Sequence, residues 1–272
     1  MALQNAPLGK SSEYPQHYAP ELLFPVPRLD NRQRIGLEDG RWPWFGGDVW
    51  QAWELSWLRP NGVPAVAWGI FRIPAASPFL IESKSFKLYL NSLNQATFSD
   101  PSQVIELVER DLSSASGAAV TCELYSVDET AHIAPRPSGY ELIDDEPIEV
   151  VGYEPCPGKL IAEGEVVTES LCSHLLKSNC PVTGQPDWGT LLIHYTGPKI
   201  DRASLLHYVV GFRQKQDFHE HCVETVFTDL MAYCKPESLT VSAHYTRRGG
   251  LDINPWRSTE ASAPAMVRLI RQ

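Results

Sequence analysis

The chain lacks any apolar run approaching the ~20 residues needed to span a bilayer. Its opening stretch, MALQNAPLGKSSEYPQHY, has neither the charged start nor the apolar core of a secretory signal. A cytoplasmic protein with no membrane partner is expected. A basic excess is also missing. The 23 Lys and Arg are outnumbered by 33 Asp and Glu, for a net charge of -10. With no positive field to attract a phosphate backbone, a small molecule is expected as partner, and no direct nucleic acid. Six cysteines (Cys122, Cys156, Cys172, Cys180, Cys222 and Cys234) include no C-x-x-C pair. Free thiols in a reducing cytosol are expected, and a structural zinc is not. The HEHC run at 219–222 lacks the i, i+4 histidine pair of H-E-x-x-H, so no metal site is expected. No G-x-G-x-x-G follows a strand-like run, which removes the usual dinucleotide cradle.

What is present suits a packed core: 43% of residues are hydrophobic and only 21% are charged. A length of 272 residues fits one large domain or two small ones. Residues 1–47 are rich in Pro, Gly and polar side chains and contain RWPWFGG. They are read as an irregular arm, with Trp42 and Trp44 able to pack over a module edge. Two strand-like runs flank Pro60-Asn61-Gly62, a hairpin signal. A helix is predicted over 83–94. A second opens with Asp100 as N-cap, Pro101 at its first position and Gln103 closing a capping box, with Val104, Leu107, Val108 and Leu112 as its apolar stripe. Residues 118–127 read as a strand.

The second half repeats this order. GKLIAEGEVV and GTLLIHYTG can pair as strands around an insertion at 168–188 that carries a helix from about Thr168 to Lys177. Asp201 caps a helix with Leu205, Val209 and Phe212 on one face. Asp217 and Glu220 are expected to form a capping box for another, with Cys222, Val226 and Leu230 inside. Residues 239–246 alternate as a half-buried strand does. Antiparallel strands with helices on one face make an α+β architecture. The acidic, Pro-containing stretch 128–158 reads as a linker. The division falls near 150: residues 1–150 form the first module with its arm, and 151–272 the second.

Cys180 lies in SNCPVTGQPDWG. A helix cannot easily run through Pro181, so the thiol is placed on a loop. A thiolate there is a strong nucleophile; a small buried apolar residue is the alternative reading. Cys172, Cys222 and Cys234 are assigned to helical faces in the core. Asp187, beside Trp188, suits a general acid, though by itself the residue reads first as a turn former or strand cap. His219 and Glu220 open a helix, where free N–H groups collect. The run from Glu82 to Lys87 joins a strand to a helix start that suits a phosphate or a polar heterocycle. Tyr245-Thr246-Arg247-Arg248-Gly249-Gly250 pairs phosphate-binding guanidiniums with glycines that admit close backbone approach.

Together, ESKSFKLY at 82–89, SNCPVTGQPDWG at 178–189, FHEHCVE at 218–224 and YTRRGGLDINPWR at 245–257 resemble the NADPH-dependent 7-cyano-7-deazaguanine reductases, in their long, two-module form. The resemblance covers essentially the whole chain. It implies two tandem tunnelling-fold (ββααββ) modules and a homodimer. It also implies reduction of a nitrile to a primary amine by two NADPH, in the biosynthesis of queuosine, a modified tRNA nucleoside. By resemblance Cys180 is the nucleophile that forms a thioimide, Asp187 the general acid, and His219 an aid to proton transfer or positioning. Glu82 and Glu220 recognise the substrate, flanked by Ile81 and Ser83. Ser83, Lys84, Arg248 and Gly249 form the NADPH site. A site assembled between modules is the expectation. A thiol-dependent nitrile hydrolase, a metal-dependent pterin-type cyclohydrolase and a non-catalytic pterin- or purine-binding protein are the competing classes.

Overall fold

The computed structural model describes residue 15 and residues 17–38, 40, 42–129, 133–134, 136–265 and 267–272. Residues 1–14 and 16 of the expected arm, and Arg41 of its RWPWFGG run, lie outside these.

The architecture is α+β. Its elements, in chain order, begin with β1 (Pro25–Pro27), α1 (Leu29–Arg34), β2 (Phe45–Leu58), β3 (Pro64–Pro74), β4 (Phe79–Ile81), α2 (Ser83–Ser92), α3 (Pro101–Ser116) and β5 (Thr121–Tyr125). They continue with β6 (Ile133–Ala134), β7 (Glu141–Leu142), β8 (Ala162–Ser173), β9 (Lys177–Asn179), β10 (Pro186–Ile200), α4 (Arg202–Val210), α5 (His219–Tyr233), β11 (Ser238–Tyr245), β12 (Leu251–Ser258) and β13 (Arg268–Leu269). Among the described residues no helix is long and apolar enough to cross a membrane.

The chain folds into two compact units. The first holds Met1–Asp30, Asp48–Thr130 and Arg247–Ile253; the second holds Asn31–Gly47, Ala131–Thr246 and Asn254–Gln272. The division at 130 differs from the expected boundary near 150, and two short segments are exchanged. The reason is burial: Leu251 and Ile253 join the core of the first unit, while Trp44 and Ile143 join that of the second. The stretch 128–158 is therefore only partly a linker. Within it, β7 pairs in parallel with β8, Glu141 opposite Leu171. Nor is 17–47 wholly irregular, since it supplies β1, α1 and the start of β2.

In the first unit the strand order is β5-β3-β2-β12. The Asn61-Gly62 turn closes the β2–β3 hairpin as expected, the Arg59 amide donating to the Val63 carbonyl at 3.0 Å. Asp100 caps α3 by accepting from the Ser102 amide at 2.8 Å, and Pro101 occupies the first position. Gln103 does not close a box on Asp100. Its side-chain oxygen turns to the Ser99 amide, 2.9 Å away, one residue earlier. The core packs Val104, Val108 and Leu112 of α3 and Phe86 and Tyr89 of α2 against Trp50 and Phe71 of the sheet.

In the second unit the order is β12-β11-β10-β8-β7, with β9 on the end of β10. Strand β10 runs antiparallel to both neighbours, Ile193 facing Val241 on one side and Leu171 on the other. The expected helix at 168–177 is instead the end of β8 followed by β9. Residues 166–173 pair with 191–198, and this long-range ladder overrides the local spacing. Cys172 is thus a buried strand residue, while Cys222 on α5 and Cys234 just past it are buried as expected. Asp201 caps α4 through the Ser204 amide at 2.7 Å. The Asp217–Glu220 box does not form. Phe218 is the N-cap of α5, and the Asp217 carboxylate is taken by the Phe218 amide at 3.0 Å and the His221 ring at 3.1 Å.

Candidate active site

Cys180 sits at the end of the β9–β10 hairpin. Asn179 pairs with Pro186, Ser178 with Asp187 and Lys177 with Trp188. The register continues one step further, because the Cys180 amide donates to the Gln185 carbonyl at 2.9 Å. Side chains two apart on a strand share a face, so Cys180, Ser178 and Asp187 project to the same side of the ribbon. The hairpin is tied down at its base. Lys177 Nζ donates to Asn179 Oδ1 at 2.6 Å and to the Arg213 carbonyl at 2.7 Å. The Asn179 amide donates to Lys215 O, and Asn179 O accepts from the Asp217 amide. The residue before the thiol is therefore stitched to the segment that leads into α5.

That segment delivers His219. Its Nε2 lies 3.3 Å from Asp187 Oδ2. Its ring stacks flat on Tyr245 of β11, with centroids 3.8 Å apart and planes 7° apart. Cys180, Asp187, His219 and Glu220 are all buried. His219 and His221, two residues apart, turn to different carboxylates, Asp187 and Asp217. Among the described residues no three His, Cys, Asp or Glu side chains gather to hold a metal ion.

Beneath this turn lies a buried ion cluster that the sequence did not disclose. Glu224, one helical turn beyond Glu220, accepts from Arg257 Nη2 at 2.9 Å and from Arg32 Nη2 at 2.7 Å. Burial raises the pKa of Glu224, but the two guanidiniums outweigh it and lower it to about 2. The Arg32 guanidinium also lies 4.1 Å over the Trp42 ring, and Trp44 meets Phe227 edge-on. The two arm tryptophans thus pack within the second unit.

In the first unit, Ile81 ends β4 and Glu82 caps α2. The fully buried Glu82 carboxylate accepts from the Lys84 and Ser85 amides, each at 2.8 Å. Burial raises its pKa despite these bonds. Its Oε1 also accepts from the Ser83 hydroxyl at 3.4 Å, while Oε2 keeps a further lone pair. Ser83, Lys84 and Lys87 are half-buried on the first turns of α2. Arg248 and Leu251 close a tight turn by mutual amide–carbonyl bonds of 2.8 and 3.0 Å. The two residues between them, Gly249 and Gly250, both have positive φ, as this turn requires. A Cβ on Gly249 would stand 2.7 Å from Lys87 Cδ. The glycine therefore brings the turn backbone against a cation.

Two family models match this sequence. One, described as nitrile reductase, 7-cyano-7-deazaguanine-reductase N-term, matches residues 14–124; the other, described as QueF-like protein, matches 186–264. A Chromohalobacter salexigens protein named NADPH-dependent 7-cyano-7-deazaguanine reductase is 54% identical over 271 residues, 99% of this chain and 98% of its own. Proteins of the same name from Dechloromonas aromatica and Bordetella avium are 54% and 53% identical, over 98% and 100% of this chain and 95% and 100% of their own. The chain belongs to the NADPH-dependent 7-cyano-7-deazaguanine reductase family. The first reductase match spans Ile81, Glu82, Ser83 and Lys84. The second spans Asp187, His219, Glu220, Arg248 and Gly249. Cys180 falls in the stretch between them.

Proposed function

We propose that this chain reduces the nitrile of 7-cyano-7-deazaguanine to the primary amine of 7-aminomethyl-7-deazaguanine, using two NADPH, in queuosine biosynthesis in the cytoplasm. Full-length likeness to reductases of that name carries the reading. Cys180 is the nucleophile. A nitrile carbon is a poor hydride acceptor, and addition of the Cys180 thiolate converts it to a thioimide, which accepts hydride more readily. As the sulfur adds, Asp187 donates a proton to the developing nitrogen anion. His219, paired with Asp187, restores a proton to that carboxylate, which gives it to the nitrogen in the first reduction. After the first reduction the carbon bears hydrogen, sulfur and an amino group. Loss of the Cys180 thiolate then leaves an imine, which the second reduction converts to the amine. The Glu82 and Glu220 carboxylates accept hydrogen bonds from the amide and amine edge of the deazaguanine, with Ile81 and Ser83 beside that contact.

NADPH supplies the two hydrides when bound. The residues present fit its phosphates. Lys84 and Lys87 lie three apart on α2, Gly249 brings the Arg248 turn against Lys87, and Ser83 adds a hydroxyl. Each unit contains two long antiparallel strands, then two helices, then one or more strands, the order of a tunnelling-fold module, and two such modules in tandem are proposed. The proposed assembly is a homodimer with no direct nucleic-acid partner. A half-exposed stack of Trp53, Trp68 and Tyr125 next to exposed Val66 offers apolar surface for a second copy.

The test is direct. Purified protein with the nitrile and NADPH is expected to consume about two NADPH per nitrile, the four-electron stoichiometry, and to show a Cys180 adduct by intact mass that Cys180→Ala abolishes. Turnover by Cys180→Ala, or ammonia release without NADPH oxidation, would overturn the reading.

A further inference from the structure

The imidazole of His219 is held in an unusual way. Histidines that move protons are commonly oriented by a hydrogen bond at the nitrogen not facing the reaction. Here Nε2 faces Asp187, and the buried Nδ1 has no hydrogen-bond partner among the described residues. One bond leaves the ring free to rotate about it. What removes that freedom is the face of Tyr245, parallel to within 7° at 3.8 Å.

Tyr245 is itself locked. It is fully buried on β11, and its backbone is pinned by Gln272 Nε2 donating to its carbonyl at 3.2 Å. Directly across the ladder stands Gly189, two residues beyond Asp187 on β10. A Cβ at Gly189 would lie 3.2 Å from Tyr245 Cδ1 and 3.3 Å from Leu176 Cδ2. The absent side chain is thus the space in which the Tyr245 ring lies. The phenol is placed against Ser178 and Cys222, and burial raises its pKa well above the ordinary value, so it stays neutral.

We propose that Tyr245 is a positioning residue for the reduction: its ring, seated over Gly189, fixes the plane of the His219 imidazole against Asp187. The ring does this and the hydroxyl does not. This rests on the reduction proposed above.

Full-length Tyr245→Phe, Tyr245→Leu and Gly189→Ala proteins test it, with thermal melts to confirm folding. Tyr245→Phe is expected to keep kcat within about 2-fold, and Tyr245→Leu to lower it by roughly 10- to 100-fold with KM for the nitrile within about 3-fold, the signature of lost orientation rather than lost binding. Gly189→Ala, which displaces the ring by a few tenths of an ångström, is expected to lower kcat by a smaller factor in the same direction. The proton NMR signals of the His219 ring, shifted upfield by the stacked phenol, are expected to persist in the Phe variant and to move downfield in the Leu variant. Wild-type kcat in a folded Leu variant, or a Phe variant as impaired as Leu, overturns the proposal while leaving the reductase reading intact. If the Leu variant does not fold, an unaltered kcat in Gly189→Ala overturns it. Absence of NADPH oxidation by the wild-type protein overturns the reductase reading and this proposal with it; the NMR signals then report the stack alone.

Discussion

Asp187 Oδ2 and His219 Nε2 stand 3.3 Å apart, joining the second strand of a hairpin to the first residue of a helix. At this distance a proton can pass directly between the two side chains. Asp187→Asn keeps the shape and removes the acid. The expected result is a fall in kcat of about 10²- to 10⁴-fold, the usual worth of a positioned proton donor, with nitrile binding nearly unchanged. Stopped-flow NADPH oxidation and equilibrium binding measure the two separately. An Asn variant with wild-type turnover would remove Asp187 from the chemistry.

Glu82 serves the fold and, as proposed, the substrate. Glu82→Ala removes the α2 cap, at a stability cost of about 1 kcal/mol. It also raises KM for the nitrile by at least about 10-fold, from loss of charge-assisted hydrogen bonds. Glu82→Gln keeps one acceptor oxygen and is expected to fall between. A lowered melting temperature with unchanged KM would confine Glu82 to capping.

Lys84→Ala and Arg248→Ala are expected to raise KM for NADPH by about 10-fold each, while leaving KM for the nitrile within about 2-fold. Preference for NADPH over NADH is expected to shrink in both. A nitrile-specific effect would move these cations to the other substrate.

The hairpin at Asn61-Gly62 and the caps at Asp100 and Asp201 were legible because each is a local contest among a few neighbouring residues. The β9–β10 hairpin was not. Residues 168–177 carry a spacing that suits a helix, and only the pairing of 168–173 with 191–196, and of Lys177 with Trp188, draws them into strands. Cys180 and Asp187 could be named from their motif, but that they share one side of a ribbon follows from a register set by the whole sheet. The stack of His219 on Tyr245 joins residues 26 apart on different elements, and no local pattern announces it. The Arg32–Glu224 pair, 192 residues apart, is more distant still.

That ion cluster should dominate the acid limb of stability. Removing one partner from a buried pair costs about 3–5 kcal/mol, and Glu224→Ala leaves two guanidiniums without their shared carboxylate. Because its folded pKa, about 2, lies below the ordinary 4.5, Glu224 contributes stability that is full above pH 4.5 and lost as pH falls towards 2. Urea unfolding across that range is expected to show a steep decline in the parent and a shallower one in Glu224→Gln.

His244 acts at milder pH. Burial lowers its pKa from 6.5 to about 4, only partly opposed by Gln272. The folded protein therefore holds it neutral, and stability is full above pH 6.5 and lost as pH falls through 4. His244→Asn is expected to flatten the dependence between these values. An unchanged slope would place the titration elsewhere.

Strand β12 begins with residues whose side chains close the core of the first unit, yet it is among the last elements of the chain. During synthesis that core stays open on one side until residue 253 has left the ribosome, even though the rest of it is complete by about residue 130. The nascent first half must wait, with apolar surface uncovered, through the making of most of the second. Truncation shortly before β12 should thus unsettle the unit at the opposite end of the sequence, and slow translation between 131 and 250 should favour chaperone capture of an otherwise finished fold.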